Sequence, residues 1–238
     1  VSARRARALV HLACLAHGGV PALAPLYRAA DHLADLLARA LGLRYGRALR
    51  LRGPAATRTA LAGAVAAAAR DPGVHAVDLV LHAHGQPGHL RLADGDVSLP
   101  ALAADLRAAG AGKLRLAYST ACHAAEHGSA LLGAGFRAAV GARGVNASGA
   151  VEVPLFFLAW ALDRPLRAVL RLADAPWPRA LQDAIARRVL GGALGTVDSA
   201  KVLAGEGTLR LGSAVAPGAV ATGRAAPAGA AADRPAAG

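Results

Sequence analysis

The sequence predicts an α/β protein in which a mainly parallel central sheet is covered by helices on both faces. Three observations predict it. Short β-prone apolar runs alternate with segments of helical period along most of the chain, and strands separated by helices of that length are joined by right-handed crossovers into a parallel sheet. Turn signals such as Asp71-Pro72-Gly73 and Asp94-Gly95 fall between these segments. A chain of 238 residues, 55% of them apolar, is long enough for one domain with a sizeable core.

The elements follow in order. Ala8 to Ala16 is an apolar run closed by His17-Gly18-Gly19 and reads as a first buried strand. Ala24 to Leu41 places Leu26, Ala30, Leu33, Leu37 and Leu41 at helical spacing, which predicts that this stripe faces the core. Gly42 closes the helix, Arg47 to Leu51 forms a second strand, and Thr57 begins an alanine-rich helix. Ala76 to Ala83 is the most β-prone run and leads into His84-Gly85. His89 to Leu92 and Val97 to Leu99 flank Asp94-Gly95 and predict a hairpin. Pro100 starts a helix to about Ala109, and Leu114 to Ala121 is a core strand that delivers Cys122 at its carboxyl end. After a short helix come a strand over Phe136 to Ala142 and a long apolar helix over Pro154 to Leu172, interrupted at Pro165. Leu181 to Leu190 is a last amphipathic helix, and Thr208 to Leu211 a last edge strand. These elements place one domain over residues 1–214. Residues 215–238, rich in Ala, Gly and Pro, read as a disordered tail.

Composition narrows the function classes. The formal charge of +12 invites a nucleic-acid partner, but only Lys113 and Lys201 of the 27 basic residues are lysines. The other 25 are arginines spread along the chain, as the coding bias of a GC-rich genome would produce. Eight Phe, Tyr and Trp residues in all leave little to stack on bases, so no nucleic-acid partner is expected. Membrane insertion is not expected either, because the most apolar helical stretch, Val151 to Leu162, contains Glu152 and runs into Asp163 and Arg164. Arg4 and Arg5 before Ala8 to Ala16 imitate a signal peptide, yet the apolar part is short and broken by His11. Two cysteines make no disulfide framework, so a reducing, cytoplasmic setting is the default. Oligomeric state is not legible.

In an open parallel sheet, ligands bind beyond the carboxyl ends of the strands. There the chain carries His82-Ala83-His84-Gly85 after one strand and Ser119-Thr120-Ala121-Cys122-His123 after another. If the two strands are neighbours, His84 and Cys122 share one rim, and an imidazole beside a thiol is the minimum for nucleophilic catalysis. Gly85 has no side chain to obstruct a substrate carbonyl. Its N–H and that of Cys122 are oxyanion donors, a contribution of about 3 kcal/mol each. His82 is a rival base, since residues two apart on a strand point the same way.

An apolar strand ending in His-Gly, followed about forty residues later by one ending in a small residue and Cys, resembles the caspase-like cysteine peptidases. That group contains caspases, metacaspases, gingipains, clostripain, separase and the bacterial CHAT-domain proteases. The matching segments are Leu79-Val80-Leu81-His82-Ala83-His84-Gly85 and Leu114-Arg115-Leu116-Ala117-Tyr118-Ser119-Thr120-Ala121-Cys122. Gly133 to Ala142 looks like the strand after the nucleophile in CHAT domains, and the resemblance spans about Ala8 to Leu172. It implies a three-layer sandwich and a cysteine endopeptidase without a cofactor, acting on a protein or peptide, with Cys122 as nucleophile, His84 as base and acid, and Gly85 as oxyanion donor. It also implies that Arg143 to Ser148, with Arg143, Gly144, Val145 and Asn146 at its head, faces the substrate and binds it by strand addition. Regulated proteolysis, including bacterial defence, is the expected setting.

The sequence departs from the group's trypsin-like members, which carry an acid at the base of the specificity pocket. None maps here: Asn146 stands where one is expected, leaving Glu152, Asp94, Asp96 and Glu126 as candidates. Two other readings stay open. His82, His84, Cys122, His123 and His127 are of the right types for a zinc site, with His123 and His127 one helical turn apart. The chain also fits a non-catalytic interaction module of the same fold. No spaced glycine triplet follows the first strand and no Gly-x-Ser-x-Gly occurs, which disfavours a dinucleotide site and an α/β-type serine hydrolase.

Overall fold

A strand flanked on both sides and covered on both faces is largely apolar, and the seven residues of β1 (Arg7–Ala13) are all buried, Arg7 and His11 included. The computed structural model, which describes residues 6–190 and 195–213, pairs β1 in parallel with β2 (Arg47–Arg52) and with β3 (Ala76–His82). Next to β3 lies β7 (Leu114–Ser119), then β8 (Ala138–Ala142), both parallel, and antiparallel β9 (Lys201–Gly205) closes the edge. The order of this six-stranded sheet is β2-β1-β3-β7-β8-β9.

Alternation along the strands feeds two cores. Val10, Leu12, Leu79 and Leu81 pack with α2 (Arg58–Arg70), α3 (Leu99–Gly110) and α4 (Gly128–Ala134). On the opposite face, Leu9, Val80 and Tyr118 pack with α1 (Ala24–Gly42), α5 (Gly149–Ala161) and α6 (Leu166–Ala173). This is the three-layer α/β sandwich the alternation predicts. The Thr57 hydroxyl accepts from Ala60 N–H at 3.1 Å, capping α2 as its position predicts.

Four details differ from the sequence reading. First, the strand carrying the histidines stops at His82. His84–Gln86 forms its own strand, β4, in a small antiparallel sheet with β5 (His89–Leu92) and β6 (Gly95–Ser98). Second, α1 turns Asp31, Ala34, Asp35, Ala38 and Leu41 inward and leaves Leu26 and Leu33 exposed. Inward carboxylates are tolerated because each is bonded: Asp35 meets Arg39, Arg50 and Arg52, and Asp31 accepts from two backbone N–H groups. Third, the apolar helix begins at Gly149, five residues before Pro154, while the expected interruption at Pro165 is present and separates α5 from α6. The last helix, α7 (Pro176–Leu190), likewise starts early. Fourth, the edge strand is β9, not Thr208 to Leu211. The carbonyls of Leu209, Arg210 and Leu211 serve Leu166 N–H and the Arg115 guanidinium, leaving them no ladder to join. Residues 215–238 lie outside the described residues. No helix among the described residues is long and apolar enough to cross a membrane.

Candidate active site

Because β3 and β7 are parallel neighbours, with Leu81 opposite Ser119, their carboxyl ends open onto one rim. Beyond β3 the chain passes through buried Ala83 and turns away as β4. Beyond β7, Thr120 N–H bonds to Leu81 carbonyl at 3.0 Å, and Cys122 follows two residues later. The two exits touch at Gly85. A methyl group there would sit 2.5 Å from the Cys122 carbonyl oxygen and 2.8 Å from the Ala121 methyl, so only glycine fits. A cavity of about 790 Å³ opens at this rim, lined by His84, Gly85, Cys122, Val145 and Asn146 among others.

His84 is held on several sides. Its Nε2 lies 2.7 Å from the Leu15 carbonyl oxygen. A carbonyl only accepts, so the ring proton sits on Nε2 and Nδ1 keeps its lone pair. The Tyr27 ring meets the imidazole edge-on, centroids 4.8 Å apart. Gly19 packs so closely that an added methyl would lie 2.6 Å from Nε2. The Leu15 carbonyl is itself positioned, because Asp31 accepts from Leu15 N–H at 2.9 Å and Ala16 N–H at 3.0 Å. Burial lowers the His84 pKa, against the opposing pull of the Leu15 bond and the Asp31 charge.

His82, two residues earlier, lives in a different environment. It is 4% exposed, its Nδ1 lies 2.8 Å from Thr120 Oγ1, and among the described residues its Nε2 is buried without a partner. Burial drives its pKa down to about 3. His82 and His84 sit on strands of different sheets and bond to different groups, although both border the cavity that Cys122 lines.

Cys122 is followed by His123 in the left-handed region, φ 56°, a conformation uncommon outside glycine. That bend carries His123 N–H to the Gly144 carbonyl at 2.8 Å. It leaves the Cys122 sulfur to accept from Asn146 N–H at 3.4 Å. Burial raises the Cys122 pKa, while the Asn146 N–H, the Lys201 charge and its own N–H pull it down. Cys14 is a contrast: fully buried, with its thiol directed at the Arg91 carbonyl at 3.6 Å, it is raised to about 12 by burial and serves as a small apolar side chain.

Beneath Asn146 lies a buried polar network. Lys201 Nζ and Glu152 Oε2 are 2.6 Å apart, each side chain 1% exposed. Lys201 also donates to Asn146 Oδ1 at 3.2 Å, Asn146 Nδ2 donates to the Thr120 carbonyl at 2.8 Å, and Tyr118 OH and Ser148 Oγ donate to Glu152. Glu152 is thus not a free pocket acid. The other candidates are also engaged: Asp96 pairs with Arg91 at 2.7 Å, Asp94 accepts from Arg58 N–H, and Glu126 lies 3.7 Å from His123.

Of the four loop residues expected to face substrate, Val145 and Asn146 line the cavity, and Arg143 and Gly144 do not. Arg143, Gly144 and Val145 spend their N–H groups on the carbonyls of Ala200, Asp198 and Thr196. That edge is therefore closed to strand addition. The five-residue zinc reading is not met either. Among the described residues no three His, Cys, Asp or Glu side chains are grouped to hold a metal ion, and the rings of His82, His84 and His127 are bonded to Thr120, Leu15 and Gln86.

Sequence reasoning missed Asp31, Leu15 and Tyr27 behind His84, Lys201 behind Cys122, and the wall supplied by α7. Two signals were available: an acid inside a helix otherwise rich in Ala and Leu, and a lysine in a chain that otherwise uses arginine. The roles of Leu15 and of the backbone N–H groups leave no trace in side-chain identity.

Solved structures that resemble this fold include two cysteine-peptidase chains. Gingipain R, an Arg-specific cysteine proteinase, superposes with a TM-score of 0.54 at 11% identity, over 88% of this chain and 49% of its own. Caspase-1 from Spodoptera frugiperda gives a TM-score of 0.55 at 11% identity, over 86% of this chain and 88% of its own. The chain therefore spans about half the length of the gingipain R chain. At such identity the likeness establishes the fold, and that fold is caspase-like. No family model and no curated protein matches the sequence.

Proposed function

We propose that the protein is a cysteine endopeptidase in which His84 activates Cys122 for attack on a peptide carbonyl. The observation that carries this reading is the anchoring of His84. With Nε2–H committed to the Leu15 carbonyl, the basic Nδ1 is the nitrogen left for chemistry, beside a cavity that Cys122 also lines. The caspase-like fold supports it.

Burial pushes the thiol up and the imidazole down, so both are neutral at rest. The proton therefore moves as the bond forms: Cys122 Sγ bonds to the carbonyl carbon while His84 Nδ1 takes the thiol proton. The resulting oxyanion is met by the N–H groups of Gly85 and Cys122. His84 then protonates the leaving amine, the C–N bond breaks, and a thioester remains on Cys122. Water hydrolyses it with His84 again as base. Val145 and Asn146 border the substrate, and Asn146 N–H steadies the sulfur.

A peptidyl acyloxymethyl ketone tests the reading. Incubation with the full chain is expected to add one inhibitor mass to the peptide containing Cys122, with no addition in Cys122→Ala and a rate at least about 100-fold lower in His84→Ala. An intact protein whose Cys122 stays unmodified would overturn the assignment.

A further inference from the structure

The cavity beside Cys122 has a composition that selects among peptides. One wall comes from the segment leading into α1, with Val20, Leu23, Leu26 and Tyr27. The facing wall is α7, with Ile185 and Val189. Leu26, Ile185 and Val189 are 60%, 53% and 69% exposed and gather on one cavity lining, so an apolar group entering there would cover them together. The patch is continuous with the reacting groups, since the same cavity holds His84 and Cys122.

The acid that lines this cavity is already paired, since Asp96 meets Arg91 at 2.7 Å. Lys201 and Glu152 neutralise each other below Asn146. Asp31 and Asp183, which accept from the Leu15 and Ala16 N–H groups and from Ser199, lie outside the cavity lining. A guanidinium, ammonium or carboxylate entering from the substrate would lose its water and find no free counter-charge, which disfavours its entry. An aliphatic or aromatic side chain would bury its own surface and that of both walls.

We infer that the site cleaves next to a large uncharged side chain, an aliphatic or aromatic residue seated between the α1 entry segment and α7. The inference rests on the peptidase reading above and adds to it the class of substrate. It separates this chain from the gingipain R it resembles, which is Arg-specific.

The test uses the full chain and fluorogenic tetrapeptides that differ only in the residue before the scissile bond: Leu, Phe, Arg or Asp. The Leu and Phe members are expected to give kcat/KM at least about tenfold above the other two. Ile185→Asp, at an exposed helix position, is expected to raise the Arg-to-Leu ratio about tenfold by supplying the missing counter-charge. Arg or Asp turnover ahead of Leu and Phe, abolished in Cys122→Ala, would overturn the inference and leave the peptidase standing. An unchanged ratio in Ile185→Asp would remove α7 from the specificity wall. Absence of turnover and of covalent capture of Cys122 with every member would sink both readings together.

Discussion

The two ends of β3 and β7 are built on opposite principles. At their amino ends, Asp78 and Arg115 form an ion pair with each side chain 1% exposed. The pairing register skips Arg115, which leaves it as the extra residue of a bulge beside Asp78. Tyr45 OH donates to Asp78 at 2.6 Å, Trp160 Nε1 donates to Tyr45 at 3.0 Å, and Arg115 donates to the Arg210 and Leu211 carbonyls. At their carboxyl ends a cavity takes the place of packing: among the described residues His82 Nε2 is buried without a partner, and Cys122 Sγ receives one long contact. Paired charge and close packing make the amino end a rigid base, while the carboxyl end leaves open space lined by polar side chains.

The largest expected effect breaks the carboxyl end alone. Cys122→Ala is expected to lower peptide turnover on the order of 10⁴-fold or more. Its unfolding free energy should move by less than about 1 kcal/mol, because the residue is half-buried and weakly bonded. Paired kinetic and urea-unfolding measurements check both halves.

Breaking the amino end should do the reverse. Arg115→Met strands a buried carboxylate and is expected to cost about 3–5 kcal/mol of stability, with turnover per folded molecule retained below the melting transition. Asp78→Leu combined with Arg115→Met should recover most of that loss, since an apolar pair replaces a paired charge. A double variant no more stable than the single one would show that the bulge geometry depends on the ion pair.

Acid sharpens the contrast by a smaller amount. Burial drives His11 to about 4 and His82 to about 3 in the folded protein, whereas an unfolded chain protonates histidine near pH 6.5. The unfolded state therefore binds more protons below pH 6.5, and stability falls as pH drops through that window. Each histidine should contribute about 2 kcal/mol of loss at pH 5. Urea unfolding of wild type and His11→Leu at pH 7 and pH 5 checks this, the variant losing about half the difference. Activity has its own acid limb: His84 must be neutral to act, and with its pKa lowered by burial that limb is expected below pH 6.5.

The smallest effect is a control remote from both ends. Thr57→Ala removes the cap on α2 and should cost about 1 kcal/mol, visible in the melting temperature and absent from kcat/KM.

What was legible in the sequence follows from periodicity and from strand ends. β1, β3, β7 and β8 were readable because buried parallel strands are largely apolar and β-prone, and β2, at the sheet edge, because its residues alternate. That His84 and Cys122 border one cavity was readable because parallel neighbours deliver the residues beyond their carboxyl ends to one rim. The inward face of α1 was misread because leucines drew the stripe, while Asp31 and Asp35 take inward positions whose partners lie on other segments. β9 was misplaced because Thr208 to Leu211 is as apolar as a strand, and only the reach of Arg115 shows where its carbonyls are used.

The residues in their order dictate the alternating architecture, the rim at which the cavity opens, and the thiol and imidazole side chains that border it, since all of these follow from local pattern and right-handed connection. The folded chain decides the rest: which of two nearby histidines bonds to Thr120 and which to Leu15, that Lys201 pairs with Glu152, and that α7 and the α1 entry segment line one cavity. Those outcomes depend on hydrogen bonds and contacts between segments far apart along the backbone, where spacing carries no information about partners.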